Sequence, residues 1–231
     1  TDKETSCARY ILDKLGYISK DLVADTEYIE EIFLNEKDNY KWYHLYSIVE
    51  IFIEFFKKQK GYKRFISDFS KDINQILEEE NSGYRFVNDI FVPITDNIEI
   101  ESIERAIYYM DVPSKHIDKA LALYSNKENP DYENSIKESI CAVESMCCII
   151  CGQDNKGITL GKALNNLEKN GVEIHPALID AFKKMYGYTS DAGGIRHGSI
   201  YFTNAPAEDA KYMLVTCSAF VNYLKEKYIK I

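Results

Sequence analysis

Arg196 and His197 stand next to each other in a stretch that also contains glycine at positions 193, 194 and 198. An imidazole takes up or releases a proton near neutral pH, which suits it to acid and base chemistry. A planar guanidinium donates two parallel hydrogen bonds to a phosphate group. Because glycine has no side chain, the backbone here is open to a close ligand. The dipeptide therefore predicts proton transfer beside a bound phosphate.

Three acidic residues are the candidate partners of this dipeptide. Asp191 lies just upstream and could orient the imidazole or pair with the guanidinium. Glu138 and Glu144 lie six positions apart in a segment predicted to be one long helix, and they are natural partners for Arg196. A structural interpretation is also open, in which Arg196 forms an ion pair with a helix carboxylate while His197 caps the last helix or fills an interface.

A basic run is the second candidate site. Its cations are Lys57, Lys58, Lys63 and Arg64, and Tyr62 lies among them. Such a run could hold a nucleic-acid backbone and stack a base on the ring, although basic runs are more often solvated helix ends. The net charge of −9 excludes a protein that coats nucleic acid passively, because such a protein needs a broad positive surface. Nucleic-acid chemistry here therefore needs a local basic site.

Four of the six cysteines fall within eleven residues of one apolar segment, at positions 141, 147, 148 and 151. This crowding is typical of buried thiols rather than of a disulfide framework, and it indicates a reducing, cytoplasmic setting. The Cys148-x-x-Cys151 spacing could suit zinc or redox chemistry, but no second pair and no nearby histidine accompany it. We therefore expect core thiols, no metal and no cofactor.

The composition is that of a globular protein. A chain of 231 residues with 45% hydrophobic and 28% charged residues can bury one large core or two small ones. The longest apolar run, Met146 to Cys151, is far too short to span a bilayer. The first residues do not contain a basic stretch followed by an apolar one, so no export signal is predicted. These features predict a soluble cytoplasmic protein with no membrane partner.

Hydrophobic periodicity predicts an all-α protein, because apolar residues recur at three- and four-residue steps between glycine, proline and capping residues. The predicted helices are 4–15, 20–34, 40–58, 62–79, 97–110, 114–125, 130–151, 160–169, 176–186 and 206–228. Residues 84–94 break the pattern, and Asn88-Asp89 favours a small β-hairpin there. A boundary near residue 95 separates an N-terminal helical region that ends in the hairpin (1–95) from a C-terminal helical domain (96–231).

Several ordered blocks carry a resemblance to a known family. They are Gly83–Val87, Val92–Asp96, Pro130–Glu144, Thr159–Leu164, His175–Leu178, Tyr186–Asp191 and Gly194–His197. Together these blocks resemble the AbiJ-type abortive-infection proteins, a branch of the HEPN superfamily, and residues 1–80 resemble the family more weakly. The resemblance implies a HEPN-like helical bundle with an additional N-terminal region.

The resemblance also implies an activity and partners. A HEPN-type enzyme cleaves RNA without a metal: a base takes the proton of the ribose 2′-hydroxyl, an acid protonates the leaving 5′-oxygen, and a cation stabilises the phosphate. In this chain Arg196 and His197 would supply those groups, with Tyr201 as a further contact to nucleic acid. The resemblance further implies a homodimer with two active sites near its axis, a toxin-like effector role in phage defence, and an antitoxin or regulatory partner.

The chain departs from the family's catalytic signature, in which four to six residues separate an arginine from a following histidine. No histidine stands at the corresponding positions after Arg196, and no arginine stands at those before His197. Catalysis would then need another pairing, such as Arg196 of one subunit with His197 of the other. Two further interpretations stay open: a catalytically inactive HEPN-like module that binds RNA, a nucleotide or a protein and dimerises, or a structural helical domain of a larger assembly.

Overall fold

The computed structural model describes residues 2–15, 41–109, 111–152, 160–190 and 205–229. These residues form α-helices and one two-stranded antiparallel sheet, which confirms the predicted all-α class with a small hairpin. The elements are α1 (Asp2–Lys14), α2 (His44–Lys57), α3 (Lys63–Glu79), β1 (Arg85–Val87), β2 (Ile90–Val92), α4 (Asn97–Ile107), α5 (Val112–Tyr124), α6 (Tyr132–Ile150), α7 (Leu160–Leu167), a 3₁₀ turn (Glu168–Asn170), α8 (Pro176–Ser190) and α9 (Ala207–Ile229). The predicted helix 20–34 lies outside the described residues.

The chain divides into two compact units, Thr1–Pro93 and Ile94–Ile231. Among the described helices of both units, none combines the length and the apolar character that crossing a membrane requires.

An aromatic-rich core holds the N-terminal unit together. α2 is apolar over most of its surface and α3 is apolar along one face, so both helices bury side chains against the hairpin. The buried members of this core are Ile53, Leu77, Phe86 and Phe91. The hydroxyl of Tyr10 on α1 donates to Glu54 Oε1 on α2 at 2.8 Å, and this bond attaches α1 to the same unit.

The hairpin turns at Asn88 and Asp89, whose φ angles are +47° and +69°. Two consecutive left-handed residues are the mark of a type I′ turn, whose twist matches that of the paired strands. Phe86 stands opposite Phe91 in the register, and both rings point into the core. The Phe91 ring stacks on Tyr46 of α2 with 4.1 Å between the ring centroids.

Helix side chains complete the hydrogen bonding of this ribbon. The side-chain amide of Asn74 on α3 donates to the Phe86 carbonyl at 2.8 Å, and its oxygen accepts from the Phe86 N–H at 2.6 Å. Glu50 on α2 accepts from the Phe91 N–H at 2.7 Å. An isolated two-stranded ribbon is marginal in water, so these bonds and the buried rings keep it folded.

α6 is the central helix of the C-terminal unit, where it packs against α5 and α9, and α9 also packs against α4. Serines on its buried face allow close approach of the neighbouring backbone. The Ser135 hydroxyl donates to the Ala120 carbonyl of α5 at 2.8 Å, and the Ser139 hydroxyl donates to the Ser135 carbonyl at the same distance. These buried hydroxyl groups are therefore satisfied.

Aspartates cap three helices of this unit. Asp96, Asp111 and Asp131 precede α4, α5 and α6, and each carboxylate accepts a hydrogen bond from a backbone N–H in the first turn. Such caps satisfy N–H groups that have no partner within the helix, and each contributes about 1 kcal/mol. They fix where the helices begin and therefore which residues face the rest of the unit.

Several helix ends differ from the sequence prediction, and two of these differences involve a proline or a glycine. α6 begins at Tyr132 after its cap Asp131, so Pro130 lies before the helix rather than at its first position. α8 continues through Gly187 to Ser190, although a stop at the glycine was expected. A glycine inside a helix costs only about 1 kcal/mol relative to alanine, so it does not by itself end a helix.

Candidate functional site

The structure leaves part of the predicted site undescribed. The predicted site residues outside the described part of the chain are Asp191, Arg196, His197 and Tyr201. Their roles stay predictions. The two other acidic candidates, Glu138 and Glu144, lie on α6, and their surroundings are given by the structure.

Glu138 lies on the side of α6 that meets α5, and both of its carboxylate oxygens have a partner. Oε2 is 2.6 Å from Nδ1 of His116, and Oε1 accepts a hydrogen bond from Nζ of Lys119. His116 and Lys119 are three residues apart on α5 and therefore share one face of that helix. The side chain of Glu138 is 16% exposed, whereas that of Lys119 is 63% exposed. These three residues, the His116–Lys119–Glu138 cluster, join α5 to α6.

Two opposing effects set the charges of this cluster. Burial raises the pKa of Glu138, but hydrogen bonds and positive charge from Lys119 and His116 lower it more, so the net shift is downward. The same hydrogen bond to Glu138 raises the pKa of Lys119. Near neutral pH Glu138 is therefore a carboxylate and Lys119 an ammonium group.

Sequence reasoning missed His116 and Lys119 as partners of Glu138. The signal that could have found them is their three-residue spacing, which places a histidine and a lysine on one helical face. Which carboxylate that face meets depends on how α5 is rotated against α6, and no local pattern gives this rotation. The predicted pairing of Glu138 with Arg196 stays a prediction.

Glu144 is half-buried further along α6, next to buried thiols. Burial raises the pKa of Cys148, and the negative charge of Glu144 raises it further. A thiol that keeps its proton is a poor nucleophile and a poor metal ligand. No cysteine forms a disulfide, and Cys147 and Cys217 are also buried, as expected for core thiols. Within the described residues no group of three or more His, Cys, Asp or Glu side chains is placed to hold a metal ion.

The predicted basic run lies where α2 ends and α3 begins, and its cations are exposed. Its ion pairs are Lys57–Asp89, Lys58–Glu54 (2.8 Å) and Arg64–Asp68 (3.7 Å). Exposed ion pairs of this kind contribute about 0–1 kcal/mol each. These cations can therefore exchange a carboxylate partner for a phosphate at little cost in stability.

A buried lysine in the C-terminal unit is a second feature that sequence reasoning missed. The side chain of Lys225 on α9 is 7% exposed, and its Nζ lies 3.2 Å from Asp111 Oδ2 and 3.3 Å from the Ala106 carbonyl and Ser114 Oγ. Burial lowers the pKa of Lys225, and the carboxylate of Asp111 offsets only part of this. The amine holds α9 against the junction of α4 and α5.

A comparison with protein-family models matches residues 3–108 to AbiJ N-terminal domain 4. The match covers the N-terminal unit and continues through α4. It overlaps the blocks that carry the sequence resemblance from Gly83 to residue 108, and it extends over the part of the chain whose resemblance was weaker. Neither the curated proteins nor the solved structures contain a significant match to the chain.

Proposed function

We propose that this chain, which matches AbiJ N-terminal domain 4 over residues 3–108, is an AbiJ-type protein and a HEPN-type, metal-independent endoribonuclease that acts as a toxin-like effector in abortive infection. An AbiJ-family domain indicates abortive infection, a form of phage defence. The match of residues 3–108 is the observation that carries the proposal. The proposal is further supported by the helical unit Ile94–Ile231, because its sequence contains Arg196 and His197.

In the proposed reaction, His197 and Arg196 act on a phosphodiester of RNA. The imidazole transfers a proton at the ribose 2′-hydroxyl or at the leaving 5′-oxygen, and the guanidinium donates hydrogen bonds to the phosphate. The 2′-oxygen attacks phosphorus while the bond from phosphorus to the 5′-oxygen breaks. The products are a 2′,3′-cyclic phosphate and a 5′-hydroxyl, and no step requires a metal.

Carboxylates near the dipeptide have positioning roles in this proposal. Asp191 orients the imidazole of His197. Glu138 and Glu144 on α6 are the candidate carboxylates for an ion pair with Arg196. A carboxylate that accepts from a guanidinium fixes its plane and leaves other N–H groups for the phosphate.

We expect the basic run to bind the RNA backbone. Exchange of Lys63 and Arg64 for glutamine lowers RNA affinity and flattens the dependence of log affinity on log salt by about 0.7 for each phosphate that is no longer neutralised. Stability does not fall, because cations in the first turn of α3 oppose the helix dipole. Filter binding at several salt concentrations measures this, with Lys162→Gln/Lys169→Gln as a control for two lysines elsewhere in the chain. Equal affinity and slope in both variants would rule out the interaction.

A homodimer is part of the proposal. Exposed apolar side chains of the C-terminal unit support it, among them Ile98, Tyr108 and Tyr212. Removing such surface from water stabilises association by roughly 25 cal/mol per Å². Size-exclusion chromatography with light scattering is expected to give twice the mass of the chain. A stable monomer at micromolar concentration would contradict the dimer.

The second candidate function is a catalytically inactive HEPN-like module that binds RNA, a nucleotide or a protein, with an antitoxin among its possible partners. A departure from the family signature favours this function. No histidine follows Arg196, and no arginine precedes His197, with the four to six intervening residues that the signature has. An inactive module would bind RNA and leave it intact.

Incubation of purified protein with end-labelled RNA in EDTA distinguishes these functions. We expect cleavage by the wild-type protein and none by an Arg196→Ala/His197→Ala double variant that keeps the same helix content by circular dichroism. RNA that is bound but stays intact under all triggers, including extracts of infected cells, would favour the inactive module. RNA that is neither bound nor cleaved would contradict both candidates.

A further inference from the structure

The His116–Lys119–Glu138 cluster contains the groups that proton transfer beside a phosphate requires. Nδ1 of His116 lies 2.6 Å from Glu138 Oε2, a short hydrogen bond to an ionised acceptor. Within the described residues, Nδ1 is the ring nitrogen of His116 that has a hydrogen-bond partner. The described residues therefore hold the imidazole at one nitrogen and form no hydrogen bond with the other.

The carboxylate determines which nitrogen is available as a base. An ionised carboxylate accepts hydrogen bonds and cannot donate, so Nδ1 of His116 carries the proton in this contact. When the ring is neutral, Nε2 then has the free electron pair. A carboxylate that orients a histidine in this way fixes its tautomer and stabilises the imidazolium that forms after proton uptake.

The exposure of the three side chains fits a surface site. The side chain of Glu138 is 16% exposed, that of His116 is 32% exposed and that of Lys119 is 63% exposed. A mostly buried carboxylate thus holds a partly exposed imidazole and a largely exposed ammonium group. Among the described residues, Nζ of Lys119 gives one hydrogen bond, to Glu138, and an ammonium group has three donors, so the described part of the chain leaves two for a ligand.

The charges around the cluster favour an anionic ligand. Lys115, next to His116 on α5, adds a second exposed cation to this face, and Lys137 stands beside Glu138 on α6. Among the described residues, Asp118 on α5 and Glu138 itself are the negative groups that adjoin these cations in sequence, and the thiol of Cys141 is an electrostatic neighbour of Lys119. In a chain with a net charge of −9, such a local excess of cations is suited to a phosphodiester.

We propose that His116 is a general base for RNA cleavage, that Lys119 contacts the reacting phosphate, and that Glu138 is the positioning residue for both. This inference rests on the proposed function. Nε2 of His116 takes the proton of the ribose 2′-hydroxyl, and the oxygen then attacks phosphorus. The bond from phosphorus to the 5′-oxygen breaks, and a separate acid returns one proton to that oxygen. One proton is taken up and one is released, and no oxidant or reductant is needed.

The pH profile of RNA cleavage separates a base from a merely structural histidine. We expect His116→Gln to lower the single-turnover rate on a labelled RNA oligonucleotide by about 10²–10³-fold, within the range for general acid–base groups. The decline of the rate at low pH, which reports protonation of the base, is expected to disappear in this variant. His175→Gln, which changes an exposed histidine at the start of α8, is the matched control and should keep the wild-type rate and profile.

Glu138→Gln gives an independent test if His116→Gln does not fold. A glutamine amide can donate to Nδ1 and favour the tautomer with the proton on Nε2, so we expect a loss of at least about tenfold. The pH profile of the rate should also differ from that of the wild type, since the imidazole no longer faces a negative charge.

Two results would overturn the inference, and they are distinguishable. If the wild type cleaves RNA while folded His116→Gln and Glu138→Gln keep its rate and its pH profile, the cluster is structural and the proposed function survives. If the wild type leaves RNA intact, the proposed function and the inference fail together.

Discussion

Alanine at position 197 is expected to slow RNA cleavage by about 10²–10⁴-fold, the range that a positioned acid or base contributes. The physical reason is that alanine can neither take up nor release a proton near neutral pH. Arg196→Ala is expected to cost about 10²–10³-fold, because a donor to the phosphate charge is removed while proton transfer stays possible. Single-turnover cleavage of a labelled RNA across the acidic, neutral and alkaline range measures both effects.

The two variants should also differ in their pH dependence. Without His197, the plot of cleavage rate against pH should lose one of its two slopes, because one proton-transfer group is gone. Without Arg196, the rate should fall by the same factor at every pH, so the plot keeps its shape. His175→Ala, with an exposed histidine removed from the start of α8, is the control. If folded His197→Ala cleaves RNA at close to the wild-type rate, His197 does not transfer the proton.

The second large effect concerns stability: we expect Phe91→Ala to lower the free energy of unfolding of the N-terminal unit by about 3–5 kcal/mol. Phe91 is 2% exposed and belongs to the core cluster. Its ring stacks on Tyr46 at 4.1 Å and meets the edge of Phe86 at 4.9 Å, so alanine leaves a cavity between helix and hairpin. Aromatic contacts of this kind add to the free energy of burial.

Tryptophan fluorescence can follow this unit during urea unfolding, because Trp42 is the one tryptophan of the chain and its ring lies 5.2 Å from that of Tyr84. Ile76→Ala is the control, since Ile76 lies on α3 of the same unit and is 56% exposed. A surface change of this kind should alter stability by about 0.5 kcal/mol or less. A loss below about 1 kcal/mol in Phe91→Ala would mean that the hairpin does not depend on this ring.

Local sequence rules predicted the parts of the fold that depend on neighbouring residues. Asn88-Asp89 between two apolar pairs predicted the hairpin, and the structure has a turn with positive φ at both positions. Asp96 directly precedes the predicted helix 97–110 and is of a residue type that caps helices, and its carboxylate accepts from the Ile98 and Glu99 N–H groups. In both cases a few neighbouring residues determine the backbone conformation, so the local sequence is sufficient to predict it.

Features that depend on how helices rotate against each other were not predicted. The pairing of His116 with Glu138 joins residues 22 positions apart on two helices. Lys225 is buried because the junction of α4 and α5 presents a carboxylate, a carbonyl and a hydroxyl to it, and a lysine within an apolar helix gives no sign of these partners. Charged groups are buried only where such partners exist, and the partners come from tertiary structure.

The sequence blocks that resemble the family lie from Gly83 onward, whereas the family model matches residues 3–108. This match supports the AbiJ-type assignment, and the support lies in the N-terminal unit and α4 rather than in the region of Arg196 and His197. The HEPN-like character of the C-terminal unit and its catalytic residues stay predictions. Helical periodicity cannot decide between a catalytic and an inactive bundle, because both need the same packing faces.

The central claim is that the protein cleaves RNA without a metal, through attack by the 2′-hydroxyl. Identifying the chemical groups at the new RNA ends is the most direct test of this claim. The wild-type protein is incubated with labelled RNA in excess EDTA, and the new ends are identified by their sensitivity to phosphatase and kinase. We predict 2′,3′-cyclic phosphate and 5′-hydroxyl ends, formed at the same rate with and without EDTA. Cleavage that EDTA abolishes, or products with 3′-hydroxyl and 5′-phosphate ends, would contradict this account.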